Sequence, residues 1–179
     1  MKPRHALIGL LLLFAGLAIG YVLRSSSIAD AGGPGTHPVG DSSLTLEESV
    51  RRLTQSAPGL GEFMVANQLH AAKLWFAAKN ENWRLAKYEL DELTEAMQAA
   101  EALHVTKNNV NITEVLTGVE KGMIPPLDAA IAGKDFDTFK HAYDQLLSAC
   151  NGCHTASDHG FIKIVTPTTE PVSNQQWAP

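Results

Sequence analysis

A chain of 179 residues, 45% of them hydrophobic, is long enough for one folded domain with a leader and a tail. Its 19 acidic residues outnumber its 14 Lys and Arg residues, so we expect no nucleic-acid partner, because phosphate binding needs clustered basic residues. The two cysteines lie three residues apart, which excludes a disulfide framework that spans the fold.

The first 24 residues are typical of an export leader. Lys2 and Arg4 precede an uncharged apolar run over residues 6–23, which predicts a cytoplasmic N-terminus and an exported body. We expect this run to be an uncleaved membrane anchor that holds the protein at the periplasmic side of the bacterial inner membrane. The alternative is a cleaved signal peptide and a soluble periplasmic protein. Residues 25–43 are rich in Gly, Ser and Pro and are predicted to form a flexible linker.

The helical domain is predicted over residues 44–160, and its first element is a short helix. Thr45 and Glu48 fit a capping box, in which each side chain bonds the backbone N–H of the other residue. This helix should end near Gln55, because Pro58 follows and cannot continue it.

Two long helices are then predicted, over about 59–79 and 81–103. The first places its apolar residues on one face at helical spacing, namely Leu60, Phe63, Met64, Ala71, Leu74 and Ala78. The second carries an unbroken apolar stripe made by Trp83, Ala86, Leu90, Leu93, Met97 and Ala100.

Two further helices are predicted after residue 110. Asn111 can cap the first, and Pro125 and Pro126 should kink or interrupt it, because proline lacks an N–H and clashes with the preceding turn. Gly133 should close that helix, and Asp135 can cap the last one. The apolar face of the last helix includes Phe136, Phe139, Tyr143, Leu146, Leu147, Cys150 and Cys153.

Amphipathic helices joined by short connections predict an all-α fold, an antiparallel four-helix bundle. No segment before Phe161 has the period of a strand. Residues 161–179 contain three prolines and scattered apolar residues, so we expect an extended tail that lies on the bundle.

The motif that carries the chemistry is Cys150-Asn151-Gly152-Cys153-His154, the C-x-x-C-H pattern of covalent haem attachment. Cysteines at this spacing can reach the two vinyl groups of one haem c, and His154 is then placed to be an axial iron ligand. A thioredoxin-like pair uses its cysteines at the start of a helix that follows a strand, and a structural zinc site needs two more clustered ligands. The sequence therefore favours haem.

Helix 59–79 offers two candidates for the sixth iron ligand. His70 borders the apolar face and is the first candidate, while Met64 lies within that face and is the alternative. They stand about 120° apart around the helix, so we expect only one of them to face the iron. An open sixth site is the third possibility; core packing for Met64 and a hydrogen bond at the bundle edge for His70 are the structural alternatives.

A C-x-x-C-H motif on the last helix of a four-helix bundle resembles the class II c-type cytochromes, the cytochrome c prime family and its low-spin relatives. The resemblance covers about residues 59–160 and implies a bundle with one covalent haem. It also implies that helix 59–79 faces the second side of the iron. The chain departs from that family where it continues beyond the motif and has no arginine in the next turn.

We therefore expect a non-enzymatic, monohaem c-type cytochrome that transfers one electron at a time in the bacterial periplasm. Its acidic body would suit a redox partner with a basic docking patch. The alternative is a cytochrome c prime-like sensor or scavenger that binds nitric oxide or carbon monoxide at an open sixth site.

Overall fold

The computed structural model describes residues 44–179, so the predicted leader and linker lie outside the described residues. The described residues divide into two units, one that ends at Gln55 and one over residues 56–179. The described part is mainly helical, which confirms the predicted all-α class. Its helices are Leu46–Ser56 (α1), Leu60–Lys79 (α2), Trp83–Glu101 (α3), Ile112–Gly133 (α4) and Phe136–Ala156 (α5). Among these helices, none is long and apolar enough to cross a membrane.

Helix α1 belongs to the first unit and begins with the predicted capping box. The backbone N–H of Glu48 donates to Thr45 Oγ1 at 3.2 Å, and the Thr45 N–H donates to Glu48 Oε2 at 3.1 Å. Two N–H groups at the helix start therefore find side-chain partners within the capping box.

The second unit is built from α2 to α5, and its core lies between them. Each of these helices packs against the next one along the chain, and α2 also contacts α5. The predicted stripe on α3 is confirmed, since Ala86, Leu90, Leu93, Met97 and Ala100 are all buried. The second half of α2 is buried on every side, because Trp75, Phe76 and Ala77 lie in the core as well as the predicted Ala71, Leu74 and Ala78.

A small hairpin precedes α4 and contradicts the prediction that no strand lies before Phe161. Strand β1 (Thr106–Lys107) pairs antiparallel with β2 (Val110–Asn111). The two linking residues, Asn108 and Asn109, have φ of 47° and 63°, the left-handed conformation that a tight hairpin turn requires and that asparagine tolerates. Strands of two residues are too short to show an alternating pattern, so periodicity could not reveal them.

Helix α4 runs through Pro125 and Pro126 without interruption, so of the two predicted outcomes, a kink or an interruption, the interruption is wrong. Each proline removes one helical hydrogen bond, and the carbonyls that lose a donor belong to Lys121 and Gly122. All four residues are exposed. The freed carbonyls can therefore bond water, and the helix continues across this exposed stretch.

Helix α5 carries the motif and is fixed to α2 by aromatic packing and one buried hydrogen bond. Asp135 caps it as predicted, with its Oδ1 accepting the Thr138 N–H at 3.1 Å. The ring of Tyr143 lies 5.1 Å from that of Trp75, and its hydroxyl donates to the Ala71 carbonyl at 2.9 Å. This anchoring sets the C-terminal turns of α5 opposite the first half of α2.

Candidate functional site

A cavity of about 430 Å³ lies where the N-terminal half of α2 and the C-terminal half of α5 face each other. Its volume is within the range of roughly 300–1,000 Å³ in which proteins hold small molecules and cofactors. Helices α3 and α4 and the segment after α5 complete the walls, which are mainly apolar. The apolar wall residues include Leu60, Ala71, Leu93, Met97, Ile112, Val115, Leu116, Val119, Leu146, Leu147, Ile162 and Ile164.

Both cysteines of the motif and the histidine that follows them line this cavity. Burial raises the pKa of the Cys150 thiol to about 11, with a smaller contribution from Cys153, and burial also raises the pKa of Cys153. Both groups are therefore thiols near neutral pH. A redox-active C-x-x-C pair needs the opposite, a nucleophilic cysteine whose pKa is lowered.

The imidazole of His154 is held by the segment that follows α5. Its Nδ1 lies 2.8 Å from the carbonyl oxygen of Ile162. A carbonyl can only accept, so Nδ1 must carry the proton in this contact, and the lone pair of the neutral ring is on Nε2. This is the tautomer that a metal-binding histidine adopts when a backbone carbonyl orients it.

The predicted tail, residues 161–179, contains no helix or strand and packs back onto the helices. The Asn151 side chain donates from Nδ2 to the Ile164 carbonyl and accepts the Ile164 N–H at Oδ1, each at 2.8 Å. Further along, the Trp177 ring is 5% exposed and lies 5.7 Å from that of Phe76. The tail therefore lies against the helices, and its residues Ile162 and Ile164 form part of the cavity wall.

The structure separates the two predicted candidates for the sixth ligand. Met64 lies among the residues that line the cavity, whereas His70 does not. His70 instead places Nδ1 2.8 Å from Oε2 of Glu89, a fully buried carboxylate on α3. Lys73 Nζ lies 2.8 Å from the other oxygen of the same carboxylate. The border position of His70 on the helix wheel thus corresponds to the α2–α3 contact.

Several polar residues at the cavity were not assigned a role from the sequence or were given a minor one. Asn67 lines the wall, and its Oδ1 is buried without a hydrogen-bond partner among the described residues. His159 also lines the cavity, and its Nδ1 bonds the Ser157 carbonyl at 2.7 Å. Lys107 reaches the wall from β1, a strand that the sequence did not reveal. Two of these residues had a signal in the sequence: Asn67 is a polar residue on an apolar face, and His159 follows the motif closely enough to contact a bound haem.

These residues fit a covalently bound haem in their donor chemistry. The cavity combines two thiols, an imidazole with its Nε2 lone pair available, and mostly apolar walls, which are the groups that hold haem c. It also contains a thioether sulfur at Met64 and an unpaired amide oxygen at Asn67. Within residues 44–179, no three His, Cys, Asp or Glu side chains come together as a metal cluster.

No protein-family model, curated protein or solved structure significantly matches this chain.

Proposed function

We propose that this chain is a monohaem c-type cytochrome that transfers single electrons. Cys150 and Cys153 would hold haem c through thioether bonds, and His154 would be the axial ligand on one side of the iron. The proposal includes the antiparallel four-helix bundle formed by α2 to α5. When bound, the haem supplies a one-electron ferric/ferrous couple.

One observation carries the proposal: both thiols line the same apolar cavity as the His154 imidazole, whose Nδ1 is bonded to the Ile162 carbonyl, so that Nε2 carries the lone pair. The raised thiol pKa values argue against the competing redox-pair interpretation of the motif. The cavity also explains why the apolar face of α5 continues as far as Cys153, which a closed helix–helix contact would not require.

Met64 is the side chain that we propose for the second side of the iron. It lies on the cavity wall, and a thioether is an established haem ligand that favours electron transfer. His70 is held at Glu89, away from the wall. Two protein ligands keep the coordination shell nearly unchanged between oxidation states, so a filled site favours electron transfer over gas binding.

The cellular setting is proposed from the leader alone. Residues 6–23 would hold the domain at the periplasmic face of the inner membrane, where haem c is attached, and the linker would let it reach partners nearby. The acidic body favours a redox partner with a basic patch.

Haem attachment is tested by expressing the full chain in a bacterial host with cytochrome-assembly machinery. Mass spectrometry should find one haem on the chain, and Cys150→Ala and Cys153→Ala should each remove one thioether bond. His154→Ala should change the spectrum of the iron, whereas the control His141→Ala should not, because His141 is exposed on the same helix. Free thiols and no added mass in the unaltered chain would refute the proposal.

The sixth ligand is tested by absorption spectra of the ferric and ferrous protein with and without carbon monoxide. The unaltered protein should be low-spin and should not respond to the gas. Met64→Ala should become high-spin and bind it, while His70→Ala and Met123→Ala should not, since neither of these two residues lines the cavity. A high-spin, gas-binding spectrum of the unaltered protein would favour the gas-binding alternative.

A further inference from the structure

The spacer residues of the C-x-x-C-H motif differ in what they contact. Asn151 is half-buried and makes two hydrogen bonds to the backbone of Ile164. Gly152 is exposed, and a Cβ added there would have no atom within 4 Å. Asn151 therefore binds the tail, whereas a side chain at Gly152 would contact no neighbouring residue.

We propose that Asn151 is a positioning residue for the iron ligand: it fastens the tail at Ile164 so that the Ile162 carbonyl orients the His154 imidazole. This inference rests on the proposed function, because it assigns a purpose to the Nδ1–H bond of a metal-binding histidine.

The side-chain amide of Asn151 makes the same two backbone hydrogen bonds to Ile164 that a neighbouring β-strand would make. The amide uses one donor and one acceptor on a single residue of the tail, each at 2.8 Å, and Ile164 packs against the core. Because both hydrogen bonds go to the backbone of one residue, Ile164, they fix the position and the orientation of this part of the tail relative to α5.

The carbonyl that holds the imidazole lies only two residues before this attachment. Between α5 and Ile162 the chain reverses direction, with Asp158 at φ 64° and a hydrogen bond from the Ile162 N–H to the His159 carbonyl at 2.8 Å. That turn is bonded to the end of α5 on its near side, because the His159 N–H donates to the His154 carbonyl at 2.7 Å. On its far side, the attachment to α5 is the one that Asn151 makes at Ile164. The Ile162 carbonyl lies between these two attachments, and its distance to the His154 ring depends on both.

Trp177 also anchors the tail to the helices, but it is too distant in the chain to replace Asn151. Trp177 packs on Phe76 of α2, thirteen residues beyond Ile164. The chain between them has no helix or strand that could transmit a fixed position back to Ile162. Loss of the Asn151 bonds should therefore release the carbonyl while the tail as a whole stays attached.

Releasing that carbonyl has a chemical consequence that a purely structural anchor would not have. A hydrogen bond from Nδ1–H to a carbonyl increases the electron density that the imidazole gives to a metal. A stronger donor favours the ferric state, so the bond lowers the reduction potential. Without the Asn151 attachment, we expect the potential to rise.

The test compares Asn151→Leu, which is uncharged and of similar size, with Gly152→Ala at the other spacer, both in the haem-loaded full chain. Potentiometric titration should give Asn151→Leu a more positive potential than the unaltered chain and Gly152→Ala, which should agree with each other. Nuclear magnetic resonance should find at least about tenfold faster exchange with solvent for the Ile164 N–H and the His154 Nδ1–H in Asn151→Leu only.

Equal potentials and equally slow Nδ1–H exchange in all three chains would overturn the inference while the proposed function stands. Absence of thioether-bound haem from the unaltered chain would instead overturn the proposed function, and the inference with it. If Asn151→Leu does not accumulate, Asn151→Ser is tested by the same two measurements. The serine side chain is too short to bond both the N–H and the carbonyl of Ile164.

Discussion

Replacing Lys73 with methionine should destabilise the protein strongly, because it leaves a buried carboxylate short of one partner. Glu89 is 0% exposed, and Lys73 Nζ and His70 Nδ1 each lie 2.8 Å from one of its oxygens. Removing one member of a buried ion pair typically costs about 3–5 kcal/mol. We take the lower end, about 3 kcal/mol, since His70 remains and Lys73 is itself 17% exposed.

Lys87→Met is the matched control, because Lys87 makes two ion pairs at the surface. Its Nζ lies 2.6 Å from Asp91 and 3.2 Å from Asp128, and all three side chains are about half exposed. Such pairs contribute about 0.5 kcal/mol each. With a urea dependence of about 2 kcal/mol per molar, the unfolding midpoint should fall by about 1.5 M in Lys73→Met and by about 0.5 M in Lys87→Met.

The double variant Lys73→Met with Glu89→Leu separates the cost of an unpaired charge from the loss of a contact. It should be more stable than Lys73→Met alone, because no carboxylate is then left buried. Circular dichroism followed during urea unfolding measures all four chains. Equal midpoints for Lys73→Met and Lys87→Met would refute the reasoning that burial decides the cost.

Three further predictions concern the anchoring of the tail and of α5 and the thiols of the motif. Trp177→Ala should cost about 3 kcal/mol of unfolding free energy, because its ring fills the space against Phe76, while Trp177→Phe should cost less than half as much; a thermal melt checks both, and equal losses would contradict the packing argument. Tyr143→Phe should cost about 1 kcal/mol, since it removes only the buried bond to the Ala71 carbonyl, and a loss above about 3 kcal/mol in urea would be inconsistent with that account. In haem-free protein, the pKa of about 11 at Cys150 leaves about 100-fold less thiolate at pH 8 than the ordinary value of 9.0, so alkylation should be slow and should speed up about tenfold per pH unit until about pH 11; a rate that levels off below pH 9 would refute it.

Local sequence signals predicted three of the helix starts in the described residues correctly. The caps at Thr45, Asn111 and Asp135 depend on side chains within three residues of the N–H groups that they bond, so they can be recognised without the fold. The apolar stripe on α3 can also be recognised without the fold, because the helical period alone determines which residues lie on one face.

Signals that depend on two distant segments were not available from the sequence. Glu89 reads as a surface residue of α3, and only the approach of α2 with its own charged residues explains its burial. The same contact keeps His70 away from the cavity, although it borders the apolar face of its helix. Tyr88, which precedes Glu89 in the sequence, is 54% exposed, because α3 turns that side to solvent.

The motif itself was visible, but its surroundings were not. The spacing of residues 150–154 alone predicts the proposed haem attachment. The hydrogen bond to Ile162 requires the chain to reverse after α5, and the tail has no periodic pattern from which that path could be deduced. Asn151, a spacer in the motif pattern, gave no sign of its two bonds.

The non-helical wall beside His154 has a consequence for how this protein can change over generations. Helices α2 to α5 share one tightly interlocked interior, so a substitution there disturbs many neighbours at once. The tail meets the imidazole through a single peptide carbonyl, and exposed residues such as Phe161 and Val165 flank that point. Variation in this short stretch can therefore change the orientation of His154, the proposed metal ligand, while the four helices keep their architecture.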